Sequence, residues 1–91
     1  MNSLRKNKRL WLEAQQQLLA GAKTKRVPGE LHILLPNYES IILRRFKPHK
    51  IVFGSRCKFY HSIEKNGQPA QSISERMWNE AIHQYETSRG H

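Results

Sequence analysis

Apolar residues near the N-terminus recur at helical spacing. Five of them fall along one stripe, namely Leu4, Trp11, Ala14, Leu18 and Ala22. Leu12 and Leu19 widen this stripe, and Gly21 is a suitable C-terminal cap. The pattern predicts a helix over residues 3–21, whose apolar face is wide enough to support a homodimer as well as a core.

Short apolar runs separated by turn residues follow in the middle of the chain, which is typical of antiparallel strands. Residues 31–35 predict one strand. Residues 51–53 and 56–63 predict a hairpin around Gly54-Ser55, because glycine at the first position of a two-residue loop suits a type II′ turn. In the second arm one face, which we expect to face the core, carries Cys57, Phe59, His61 and Ile63, and the other carries Arg56, Lys58 and Tyr60.

Residues 38–46 fit two different structures. As a strand from Ser40, this segment pairs with residues 31–35, and its run Ile41-Ile42-Leu43 suits a buried β element. As a helix capped by Asn37, it leads to a winged helix-turn-helix arrangement. We favour the strand.

The C-terminal third predicts a second helix. Ser72 and Glu75 have the spacing of a capping box, and the helix extends from there to near Gly90. Its apolar stripe consists of Ile73, Met77, Trp78, Ala81, Ile82 and Tyr85. The predicted fold class is therefore α+β: an N-terminal helix, a small antiparallel sheet of two or three strands, and a C-terminal helix packed on that sheet.

The 91 residues suffice for one small domain, within which residues 1–9 and 22–30 read as a basic arm and a connector. Cys57 is the single cysteine, so no intramolecular disulfide is expected. No apolar segment is long enough to enter a bilayer, and the polar residues after the basic N-terminus do not resemble a signal peptide. We therefore expect a cytoplasmic protein without a membrane partner.

The charge of the chain is strongly positive and unevenly distributed. Sixteen Lys and Arg residues stand against seven acidic residues, which gives a net charge of +9 at pH 7. Residues 1–61 hold thirteen of the cations and three of the acids. An excess confined to part of the chain indicates a basic surface for a polyanion, and nucleic acid is the expected partner, with DNA favoured over RNA.

The densest basic segment runs from Arg44 to Lys58, with six cations and no acid in fifteen positions. If residues 40–46 and 56–62 are neighbouring strands, Arg44 and Tyr60 share an exposed face on which the cations contact phosphates. Tyr60 could stack there on an unpaired base. The predicted nucleic-acid-binding residues are Lys23, Lys25, Arg26, Arg44, Arg45, Lys47, Lys50, Arg56, Lys58 and Tyr60.

The expected function is thus that of a non-catalytic nucleic-acid-binding protein, a DNA-binding regulator or accessory factor, with no cofactor and no metal site. Three alternatives stay open: an RNA- or ribosome-binding protein, an inhibitor or adaptor that binds an acidic protein, and a small metal-free endoribonuclease. The ribonuclease would use His49 or His61 for proton transfer and Arg56 for phosphate charge. The spacing of His49, Cys57 and His61 matches no zinc pattern.

Overall fold

Within residues 3–47 and 59–89, which the computed structural model describes, the chain forms a helix, five strands and a second helix. The elements are α1 (Ser3–Leu19), β1 (Thr24–Val27), β2 (Glu30–Leu34), β3 (Ser40–Phe46), β4 (Tyr60–Lys65), β5 (Gln71–Ile73) and α2 (Glu75–Arg89). Neither described helix is long and apolar enough to cross a membrane.

The five strands form one antiparallel sheet in which each strand pairs with its neighbours in sequence, in the order β1-β2-β3-β4-β5. Residues Leu31 and Leu43 are paired across β2 and β3, and Leu43 is paired with Ile63 across β4. The pair Phe46 and Tyr60 ends the ladder between β3 and β4. The sheet edges among the described residues are β1 and β5.

The helices cover one face of this sheet and enclose the hydrophobic core. Side chains that alternate along the three central strands are fully buried there, namely Leu31, Ile33, Ile41, Leu43 and Ile63. The helices contribute Leu10, Ala14 and Leu18 from α1 and Trp78, Ala81 and Tyr85 from α2. The Nε1 atom of Trp11 donates a hydrogen bond to the carbonyl oxygen of Met77 at 3.0 Å, which joins the two helices.

The residues that alternate with these buried side chains along the strands form the other face of the sheet, which we call the open face. Glu30, His32, Ile42, Arg44 and Glu64 lie there and are only half-buried. Their partial exposure contrasts with the complete burial of Leu31 and Leu43 because the described helices pack on the opposite side. The described helices therefore leave the open face uncovered.

The α+β class and the helix–sheet–helix order are confirmed, but the predicted number of strands is too low. Residues 40–46 form a strand paired with β2, as we favoured, so a helix over 38–46 and the winged arrangement that depends on it are not supported. β1 was expected to belong to a connector, and Ser72 and Ile73 of β5 were expected to belong to the cap and apolar stripe of the C-terminal helix. Both are short and polar, and the sequence alone gives little alternation from which to recognise them.

Two local details also differ from expectation. The N-cap of α2 is Ser74 rather than Ser72, since the Oγ of Ser74 accepts a hydrogen bond from the amide of Met77 at 3.1 Å. Leu12 and Leu19 are 45% and 70% exposed, so they do not belong to the buried stripe of α1. The predicted hairpin around Gly54-Ser55 lies outside the described residues.

Candidate nucleic-acid interface

The end of the sheet where β3 stops and β4 begins brings several chain segments together. The turn between β1 and β2 lies there, because the amide of Arg45 donates a hydrogen bond to the carbonyl oxygen of Gly29 at 2.8 Å. Gly29 has φ of 78°, and a Cβ at this position would lie 3.0 Å from the carbonyl oxygen of Arg45. Glycine is therefore required for this close approach of turn and strand.

Three cations at this end of the sheet contact aromatic rings, and we call the five residues Arg26, Arg45, Lys47, Phe59 and Trp78 the cation–aromatic cluster. The guanidinium of Arg45 and the Nζ of Lys47 lie 4.0 Å and 5.1 Å from the centroid of the Phe59 ring. The guanidinium of Arg26 lies 5.6 Å from the ring of Trp78. Each contact holds a charge near a ring through the quadrupole of that ring.

The three cations of the cluster form no ion pair with a carboxylate of the described residues. Arg26 instead donates from Nη1 to the carbonyl oxygen of Glu30 at 2.9 Å, which supports the turn. Arg26 and Lys47 are exposed, and Arg45 is half-buried. The charges of Arg26 and Lys47 therefore remain available to an anion in solvent, whereas the Nε of Arg45 is buried and has no hydrogen-bond partner among the described residues.

Arg44, on the open face, has a different environment. Its guanidinium forms ion pairs with Glu64 and, at 3.3 Å from Nε, with Glu30. The pKa of Glu30 is lowered, first by the hydrogen bond from His32 and then by Arg44, against a desolvation penalty of the opposite sign. The two carboxylates neutralise Arg44, so we assign it no phosphate contact in the protein as it stands.

An aromatic pair continues the open face beyond Arg44. Phe46 and Tyr60 are directly opposite in register, and their ring centroids lie 6.0 Å apart with an interplanar angle of 39°. The rings are 47% and 54% exposed. We call Phe46 and Tyr60 the stacking pair. Each adjoins the cluster along the chain, because Lys47 follows Phe46 and Phe59 precedes Tyr60.

His61 is buried beneath this end of the sheet, as the alternation of β4 predicts. It is 6% exposed, its ring centroid lies 5.8 Å from that of Trp78, and its Nε2 has no hydrogen-bond partner among the described residues. Burial lowers the pKa of His61, Arg45 lowers it further, and Glu75 partly offsets both. A ring enclosed in this way is poorly placed to contact a ribose, which leaves His49, outside the described residues, as the other histidine of the ribonuclease alternative.

The predicted binding residues divide into three groups in the structure. Arg45, Lys47, Tyr60 and Arg26 come together at the end of the sheet, whereas Arg44 is nearby but neutralised. Lys25 is exposed on β1, opposite His32, and Lys23 precedes β1 at the other end of the sheet. Lys50, Arg56 and Lys58 lie outside the described residues, as do His49 and Cys57.

Three aromatic members of the site were not predicted from the sequence. Phe59 was assigned to the core by its alternation with His61, yet it is 40% exposed and carries two cations. Phe46 was not among the predicted binding residues, and Trp78 was considered only as part of the apolar stripe of α2. The signal that could have identified Phe46 is its position directly between Arg45 and Lys47.

Comparison of this chain with protein-family models, with characterised protein sequences and with solved structures finds no match. Within residues 3–47 and 59–89, no three His, Cys, Asp or Glu side chains group closely enough to hold a metal ion. We therefore infer the function of the protein from the geometry of the sheet end.

Proposed function

We propose that this protein is a non-catalytic nucleic-acid-binding protein, a cytoplasmic DNA-binding regulator or accessory factor of processes such as transcription. It contacts phosphates through the sheet end formed by Arg26, Arg45 and Lys47. The observation that supports this proposal most is that these three cations have no carboxylate partner among the described residues, although the protein contains seven glutamates.

The contacts with rings distinguish the cations of the cluster, since the described Lys8, Arg9, Lys23 and Lys25 also form no ion pair. Glutamates neutralise Arg44, Lys65 and Arg76, whose Nε and Nζ atoms lie 3.1–3.3 Å from carboxylate oxygens. The cations of the cluster are instead placed against rings, which position a charge without cancelling it. Unpaired cations held in this way suit phosphate, because each contact releases a condensed counterion from the nucleic acid.

The sequence adds further positive charge near the same point of the chain. The segment between Lys47 and Phe59 holds the predicted site residues Lys50, Arg56 and Lys58. These three residues and the cluster residues Arg45 and Lys47 lie in one segment, from Arg44 to Lys58, that contains no acidic residue. A polyanion is the partner that this composition favours.

The proposal is tested by fluorescence anisotropy with labelled DNA and RNA over a series of salt concentrations. We expect the protein to bind, and the logarithm of its affinity to fall linearly with the logarithm of the salt concentration. In the double variant Arg26→Gln, Lys47→Gln this slope should become shallower by roughly 1.4, because each lost phosphate contact changes it by about 0.7 on a single strand. The matched control Lys8→Gln, Arg76→Gln removes the same charge from the two helices. It should change the slope less than half as much.

Three outcomes would count against the proposal. Absence of binding to any DNA or RNA refutes it outright, and equal slope changes in both double variants refute the assignment to the sheet end. A protein partner recovered equally well after nuclease treatment, with no nucleic-acid affinity, would favour the inhibitor or adaptor alternative. The variant Arg26→Lys keeps the charge, so its binding separates a charge effect from damage to the turn that Arg26 supports.

A further inference from the structure

The stacking pair is an exposed feature of the described residues for which phosphate contacts supply no role. Phe46 and Tyr60 are large apolar side chains that leave about half of their surface in water, at 47% and 54% exposure. Cross-strand aromatic pairs do stabilise sheets, but the end of a ladder is a poor place to obtain that benefit, since only one strand pair is joined there. Their exposed faces are free to receive another flat ring.

From this geometry we infer that the stacking pair binds unpaired bases, so that the preferred ligand is single-stranded nucleic acid. The inference rests on the proposed function and names the form of nucleic acid that the same site takes. Aromatic side chains stack on the faces of bases with little dependence on sequence, because every base presents a π-face. In a duplex these faces are covered by the neighbouring base pairs, so a stacking site selects strands whose bases are unpaired.

The cation–aromatic cluster lies where the backbone of such a strand would need charge. Lys47 adjoins Phe46 in the chain, and Phe59, which adjoins Tyr60, carries Lys47 and Arg45 against its ring at 5.1 Å and 4.0 Å. The ring of Phe59 thus holds two cations near it, and Phe59 acts as a positioning residue. Arg45 lies on the opposite face of the sheet from the stacking pair, so a strand whose base stacks on the pair brings its phosphates to these cations by passing around the end of the sheet.

The remainder of the open face argues against a duplex laid flat along the sheet. Arg44, Glu30 and Glu64 form a network in which two carboxylates surround one guanidinium. A duplex backbone crossing this region would meet two negative charges for one positive charge. A single strand that contacts only the sheet end avoids them.

The test compares the intact chain with the variant Phe46→Leu, Tyr60→Leu in anisotropy titrations at fixed salt. The probes are an oligothymidylate, an oligouridylate, a duplex of equal length, and an oligothymidylate with central abasic sites. We expect the intact chain to bind single strands more tightly than the duplex. The affinity of the leucine variant for single strands should be roughly 5- to 150-fold lower, which is the range expected for the loss of one base stacked on aromatic side chains. The oligothymidylate and oligouridylate arms report whether the strand is DNA or RNA.

Tyr38→Leu is the matched control, since Tyr38 is 99% exposed in the connection between β2 and β3 and lies away from the stacking pair. Tyr38→Leu should leave the affinity for single strands unchanged. The single variant Phe46→Tyr, which retains a ring, should keep most of that affinity. On the abasic strand the loss caused by Phe46→Leu, Tyr60→Leu should disappear, which a change in folding alone would not produce.

The possible failures are distinguishable. If the intact chain binds single strands and duplex equally, or if the leucine variant loses no more affinity than Tyr38→Leu, the stacking inference is wrong while the proposed function stands. If the intact chain binds no probe at any salt concentration, the proposed function itself is wrong and the inference fails with it.

Discussion

Release of Arg44 from its two glutamates should turn a neutral part of the open face into a phosphate contact. Arg44 and Phe46 are two residues apart on the same face of β3, so Arg44 is close to the site but is neutralised by Glu30 and Glu64. The double variant Glu30→Gln, Glu64→Gln removes both negative charges. The glutamine side-chain oxygens can still accept hydrogen bonds from Arg44 and His32, so the sheet geometry should be retained.

The expected magnitude follows from one additional cation in reach of the nucleic acid. One more phosphate contact steepens the logarithmic salt slope of binding by about 0.7 for a single strand and 0.9 for a duplex. Between 50 mM and 200 mM salt, the variant should therefore lose about threefold more affinity than the unaltered protein does. The ion pairs are half-exposed, so removing them should lower the free energy of unfolding by only about 1 kcal/mol each or less.

The matched control is Glu80→Gln, Glu86→Gln, which raises the net charge by the same amount. It also releases a cation, because Glu80 pairs with Arg76 at 3.3 Å on the exposed side of α2. If net charge alone governs binding, both variants will steepen the slope equally, and the placement of the interface at the sheet end is then incorrect. A variant at Glu30 and Glu64 with the same affinity and salt slope as the unaltered protein would show that Arg44 does not become a phosphate contact.

Three further predictions concern stability. Leu43→Ala should lower the free energy of unfolding in urea by about 2–5 kcal/mol because Leu43 is fully buried, whereas Leu19→Ala, at a site 70% exposed, should change it by less than about 0.5 kcal/mol. Ser74→Ala should lower the free energy of unfolding by about 1 kcal/mol through loss of the N-cap of α2, and it should reduce the helicity seen in far-ultraviolet circular dichroism. An unchanged urea midpoint of unfolding would place the cap elsewhere. His61 has a lowered pKa in the folded state, so the unfolded state binds protons more readily. Stability should therefore be complete above pH 6.5, the ordinary histidine pKa, and decrease as the pH falls below that value. His61→Leu should flatten that dependence, and an equal pH dependence in this variant would contradict the argument.

The parts of the fold that could be predicted are those with a strong apolar period. The stripe of α2 and the run Ile41-Ile42-Leu43 identify a helix and a buried strand, because burial on one side imposes the spacing directly. β1 has the sequence TKRV and β5 the sequence QSI, and neither contains an alternation that distinguishes a strand from a loop. Their strand structure is determined by pairing with β2 and β4, which only the tertiary fold provides.

The candidate site shows the same division. Charge in the sequence points towards the ends of β3 and β4, but charge alone does not show which cations meet glutamates. Arg44 and Arg45 are neighbours in sequence, yet they lie on opposite faces of the sheet, one between two carboxylates and the other on the ring of Phe59. The residues that neutralise Arg44 come from β2 and β4, so this difference depends on strand register.

The most direct test of the central claim is a map of where nucleic acid contacts the protein. In a titration of the isotope-labelled chain with a single-stranded oligonucleotide, backbone amide chemical shifts should change most at Arg26, at residues 45–47 and at Phe59-Tyr60. The amides of β5 and of the outer side of α2 should change little. Changes concentrated at residues 76–87, or no changes at oligonucleotide concentrations well above that of the protein, would contradict the claim that the sheet end binds nucleic acid.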